Sequence, residues 1–97
     1  MSDERLYIIA YDISDDRRWR RVFRTMQGYG AWIQLSVFQC RLTKRRRAEL
    51  EARLRGLIKV GEDHVLLIDV GQADKVEVAI ASLGKDFSKI KREATVI

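Results

Sequence analysis

Hydrophobic positions along this chain fall into short blocks, and their period changes from one block to the next. Leu6 to Ile13 is a continuous apolar and aromatic run broken by one carboxylate, Asp12. Its length, with helix-start residues directly after it, predicts a buried central strand. Ser14, Asp15 and Asp16 offer N-cap oxygens and negative charge suited to a helix N-terminus. Trp19, Val22, Phe23, Met26 and Tyr29 then recur at the spacing of an apolar helical stripe. Arg17, Arg21 and Arg24 form the other side of that helix, with Arg18 and Arg20 beside them, and Gly28 and Gly30 end it.

Residues 31–42 are strand-like, but their alternation changes phase. Ile33, Leu35 and Val37 share one face, whereas Phe38, Cys40 and Leu42 share the other. A regular strand cannot do this, so a bulge or a break into two strands is expected near Ser36. A second helix follows Thr43, with Leu50, Leu54, Leu57 and Ile58 inward and Gly61 closing it. His64 to Val70 reads as another buried strand. Asp74 followed by Glu77 looks like a capping box opening a short helix, although Val76, Val78 and Ile80 equally fit a strand. Ala94 to Ile97 is a short β-prone terminus, expected to pair across a dimer or with a partner chain. Residues 1–97 read as one α+β domain: a two-layer sandwich, ferredoxin-like in its leading version, with an antiparallel sheet carrying both helices on one face.

Charge sharpens the picture. Of 19 basic and 14 acidic residues, ten basic and no acidic ones lie between Arg17 and Arg47; the rest of the chain, with nine basic and 14 acidic, balances at −5. Arginine, which dominates this block, suits bidentate phosphate contacts, so a nucleic-acid backbone is the expected partner and plain solubility charge the alternative. No apolar stretch approaches the ~20 residues of a bilayer span, and no export signal is evident at Met1, so a soluble cytoplasmic protein is expected. Cys40 stands alone and reads as a structural thiol.

Asp12 carries the most chemical information. A carboxylate ending an apolar strand must reach a surface, a partner or a cation. It is either a capping or salt-bridging group or a ligand for magnesium, a hard ion usually held by one or two carboxylates with water and phosphate oxygens. A two-fold dimer would bring two copies together. Asp15 and Asp16 fit first-turn acids better than ligands, with Asp15 also placed to support a ligand; Asp69 ends another strand. His64, the single histidine, opens a strand after a charged loop, which favours surface or edge packing over general-base chemistry. Trp19 and Trp32 fit core or interface better than base stacking.

The segment YDISDDRRWRRV, followed after one helix by IQLSVFQC, resembles the small CRISPR-associated endoribonuclease, the lesser subunit of the spacer-acquisition complex. The resemblance extends to the terminal REATVI. It implies a ferredoxin-like homodimer in which strand-ending aspartates of two protomers face each other. It also implies magnesium-dependent cleavage of single-stranded RNA or duplex DNA, and a bridging role between CRISPR integrase subunits when new spacers are inserted. On this resemblance the metal-binding and catalytic aspartate falls on Asp12, preceded by Tyr11. The family's helix arginines fall on the cluster Arg17, Arg18, Arg20 and Arg21, to which Arg24 on the basic side of the same helix is added as a nucleic-acid-binding residue, and Ser36 and Phe38 are supporting strand residues. Trp32 stands where members often carry a basic residue, and Leu35 where they often carry tyrosine. A catalytically silent DNA-binding scaffold, a regulatory domain and a toxin-like RNase are the competing functions.

Overall fold

The computed structural model describes residues 3–85. The elements run β1 (Arg5–Asp12), α1 (Asp16–Gln27), β2 (Ala31–Gln34), β3 (Val37–Leu42), α2 (Lys44–Leu57) and β4 (His64–Gln72). The sheet order is β2-β3-β1-β4 with every pair antiparallel. This β-α-β-β-α-β order with β1 central is the ferredoxin-like arrangement.

Alternation along β1 decides which way each side chain faces. Tyr7, Ile9 and Tyr11 point to the helices, where they meet Phe38, Cys40 and Leu42 of β3, Val22 and Met26 of α1, and Leu50 and Leu54 of α2. The opposite face carries Ile8, Ala10 and Asp12, registered against Ile68, Leu66 and His64 of β4. No element of the described residues lies over that stripe: Leu66 is 47% and Ile68 48% exposed. β4 is therefore half open, not the buried strand its apolar run suggests. Its Val65 and Leu67 pack on the core while Leu66 and Ile68 face away.

The phase change near Ser36 resolves as the tight turn of a β2–β3 hairpin, with Leu35 at φ 43° in the left-handed region. That conformation is strained for a branched residue. Hydrogen bonds hold it there: Trp32 Nε1 donates to Leu35 O at 2.9 Å and Trp19 Nε1 to Ser36 Oγ at 2.7 Å. Tyr11 N donates to Ser36 O at 3.1 Å, fastening the turn to the end of β1. Gly30 is required next to this hairpin, because a Cβ there would overlap Cys40 Sγ and Gln39 O.

Two further expectations are corrected. The second helix ends at Leu57 with Ile58 as its C-cap, and Gly61 instead serves the following turn at φ 92°. No helix opens at Asp74. Residues 73–75 form a turn in which Lys75 N and Val76 N both donate to Gln72 O, and the chain continues to residue 85 without helix or paired strand. The alternation of Val76, Val78 and Ile80 opposes the helix that Asp74 and Glu77 would cap. The expected strand at Ala94–Ile97 lies outside the described residues.

Candidate metal and nucleic-acid site

β1 ends on Asp12 because the next residues start a helix. Asp15 caps α1, accepting from Arg18 N at 3.0 Å, and Asp16 occupies the first turn. The amide and cap geometry hold the Asp15 carboxyl below its usual range, with the Arg18 N–H as the leading cause. Asp15 is thus occupied as a cap. Asp12 instead projects from the sheet face opposite the helices, exposed, and forms no hydrogen bond or ion pair among the described residues. Its Cα partner across the β1–β4 ladder is His64, also exposed. The surface or edge position expected for His64 agrees with its exposure, but its place opposite Asp12 depends on a register between distant strands that local pattern does not reveal.

Of the five α1 arginines, four share one environment and one does not. Arg17, Arg20, Arg21 and Arg24 are exposed and make no side-chain ion pair among the described residues. Arg18 turns the other way. Its Nε donates to Asp63 Oδ2 at 2.7 Å, and its Nη2 reaches Asp63 Oδ1 at 3.2 Å and Glu62 Oε1 at 3.4 Å. Asp63, whose side chain is 0% exposed, also accepts from Ser14 N at 3.1 Å and Lys59 N at 2.8 Å. The Arg18 guanidinium, backed by these amides, keeps the Asp63 carboxyl far below the normal carboxylate range. This knot binds the segment after Asp12 to the segment before His64.

A second basic surface follows on α2. Lys44, Arg45, Arg46 and Arg47 occupy its first turn with no acid among them. Cations at a helix N-terminus oppose the helix dipole, so this placement weakens the helix locally unless an anion lies near. Arg46 is tied to Glu49 at 3.1 Å and Arg47 to Glu51 at 2.6 Å, whereas Lys44 and Arg45 are exposed without an ion pair among the described residues.

Tyr11 and Phe38 face the interior, not the carboxylate. Phe38 is completely buried, against Tyr11 at 6.4 Å and Phe23 at 5.6 Å between ring centroids. Burial pushes the Tyr11 hydroxyl well above its ordinary range, and that hydroxyl has no hydrogen-bond partner among the described residues. Ser36 acts through the turn, and Trp19, stacked on Phe23 at 5.2 Å, is a core and turn residue. Asp69 pairs with Arg5 at 2.8 Å on the helix side of the sheet edge, away from Asp12. Cys40 is buried, which pushes its thiol up to about 12 and leaves it unreactive as a nucleophile.

Magnesium takes oxygen donors in an octahedral shell and keeps several waters. The exposed, unpaired Asp12 carboxylate fits that demand as a single protein donor. Among the described residues no group of three or more His, Cys, Asp or Glu gathers closely enough to hold an ion within one chain. A complete protein shell of several carboxylates would thus need a second copy. No helix of the described residues is long and apolar enough to cross a membrane.

Known proteins give this geometry a context. Residues 5–78 match the family described as CRISPR associated protein Cas2. A protein of Rhodospirillum rubrum named CRISPR-associated endoribonuclease Cas2 1 is 52% identical over 94 residues, covering 97% of this chain and 92% of its own. A Geobacter sulfurreducens CRISPR-associated endoribonuclease Cas2 is 49% identical over 94 residues, covering 97% and 99%. Among solved structures, a hypothetical protein from Thermus thermophilus superposes with a TM-score of 0.74 at 34% identity, over 88% of this chain and 99% of that one. Streptococcus pyogenes Cas2 superposes at 0.65 with 25% identity, over 76% and 98%. With fold and sequence in agreement along most of its length, the chain belongs to the Cas2 family of CRISPR-associated endoribonucleases.

Proposed function

We propose that this chain is a magnesium-dependent endonuclease acting on single-stranded RNA, or on duplex DNA, as a homodimer packed through the open sheet face. The observation that carries the reading is the place of Asp12, among the described residues an unpaired carboxylate at the end of an uncovered apolar stripe of Ile8, Ala10, Leu66 and Ile68. Two copies meeting on that stripe would bury its apolar surface, worth roughly 25 cal/mol per Å², and bring their Asp12 residues toward one another. Asp12 would hold the ion. Magnesium, when bound there, supplies a Lewis acid for the phosphodiester and a more acidic water. Arg17, Arg20, Arg21 and Arg24 would hold the phosphate backbone in register. Arg18 contributes from beneath by fixing the start of α1 to Asp63. The relatives named as endoribonucleases support the same class of reaction.

A second reading follows from the two basic surfaces. The exposed arginines of α1, with Lys44 and Arg45 on α2, suit a DNA backbone whether or not anything is cut, and would serve a cytoplasmic scaffold joined to a CRISPR integrase subunit. The two readings part on Ile68→Glu, which places a charge on the proposed dimer face. The nuclease reading expects wild-type protein to sediment as a dimer and to cut labelled RNA or duplex DNA with magnesium but not with chelator. It expects Ile68→Glu to be monomeric and inactive. Full activity from a monomer would overturn the two-copy site. Tight DNA binding by an intact dimer that cuts neither substrate would favour the scaffold.

A further inference from the structure

Asp12 is the residue the family resemblance points to, but the sheet sets a second donor directly opposite it. Side chains of directly opposed residues in an antiparallel pair lie on the same face, with Cβ atoms about 4.5–5.5 Å apart. Asp12 and His64 are such a pair. That separation lets a carboxylate oxygen and an imidazole nitrogen converge on one ion, each at about 2.0–2.2 Å. Neither side chain is engaged elsewhere among the described residues, and both are exposed. Both are backed by the same anchor, because Asp63, next to His64, accepts from the amide and hydroxyl of Ser14, two residues beyond Asp12. Asp63 also holds Lys59 N and Arg18, so the end of the β1–β4 ladder is fixed on both strands while its two outward side chains stay unbound.

We propose that His64 is a second protein ligand of the metal held at Asp12, giving each copy a mixed oxygen–nitrogen half-site. The inference rests on the reading of Asp12 as a ligand and extends it. Imidazole favours first-row transition ions over magnesium, so the site would bind manganese more tightly than magnesium.

Tag-free, full-length protein loaded with Mn2+ is the test, read by pulsed electron paramagnetic resonance and by titration of free Mn2+. His64 is the single histidine of the chain, so any imidazole coupling has one source. The expected wild-type spectrum shows a coordinated 14N that changes to the 15N pattern on labelling with 15N-histidine. His64→Gln removes that coupling and weakens Mn2+ binding by about tenfold or more, and the residual binding is lost in Asp12→Asn. His64→Asp, which restores an oxygen donor, recovers affinity without the nitrogen coupling. A wild-type spectrum lacking histidine nitrogen, or His64→Gln binding Mn2+ as tightly as wild type, overturns the assignment; the Asp12 reading then still stands if Asp12→Asn releases the ion. Absence of saturable Mn2+ binding, or binding that Asp12→Asn leaves intact, overturns both.

Discussion

Phe38 offers a sharp separation of packing from chemistry, because the family resemblance places it beside the site while the fold places it in the core. It is fully buried, opposite Ile9 in the β1–β3 register, and wedged between the rings of Tyr11 and Phe23. Phe38→Ala empties the centre of the helix-facing layer, and such truncations cost about 3–5 kcal/mol. A domain of this size has a total stability of roughly 5–15 kcal/mol. The variant would therefore lose a large part of its stability, and its urea midpoint should fall by about 2–5 M for a slope of roughly 1–1.5 kcal/mol per M. Phe38→Leu keeps most of the apolar volume and should fall by less than half as much. RNA cleavage and DNA binding should track the folded fraction in both variants. If Phe38→Ala unfolds at the wild-type midpoint yet loses cleavage or binding, the ring touches nucleic acid and the packing argument is wrong.

Other perturbations test separate parts of the account. Gly30→Ala forces a Cβ onto Cys40 Sγ and Gln39 O and should destabilise by about 1–3 kcal/mol, whereas Gly56→Ala in α2 meets nothing within 4 Å and should stabilise by about 0.5–1 kcal/mol; chemical denaturation compares them. The folded-state carboxyl of Asp63 lies below its unfolded value, so its contribution is complete above the unfolded value near pH 4 and is lost as pH falls through the folded value. Acid unfolding followed by circular dichroism should accordingly be less steep in Asp63→Asn, which is also less stable at neutral pH. Replacing Arg20, Arg21 and Arg24 by Gln should reduce the salt slope of DNA binding by about 0.9 for each lost phosphate contact. Arg18→Gln should leave that slope unchanged and lower the melting temperature, because Arg18 is committed to Asp63.

Local pattern carried much of this fold. The run Leu6–Ile13, the Asp15 cap with its apolar helical stripe, and the phase slip near Ser36 each have a local physical cause, and each appears as β1, α1 and the hairpin turn. Features set by long-range register were not legible. Nothing near Arg18 in sequence distinguishes it from Arg17 or Arg20; its difference is Asp63, which arrives from the sequence-distant segment that leads into β4. The apolar run of β4 signals a strand but not that one of its faces is left uncovered by the described residues, since that depends on both helices packing on the other side. The segment after Gln72 combined a capping signal with a strand-like alternation, and the conflict ended in neither element. At the site, Asp12 was evident as a lone carboxylate in an apolar run, while His64 gained meaning only from its pairing.

The most direct measurement is cleavage of labelled single-stranded RNA and duplex DNA by purified wild type and Asp12→Asn, each with magnesium and with chelator. Asp12 is exposed and unpaired among the described residues, so the substitution should leave the melting temperature of the protein unchanged. The account predicts metal-dependent cutting by wild type and none by the equally folded variant. Equal cutting by both proteins would contradict it, because the hydrolysis would then come from residues other than Asp12.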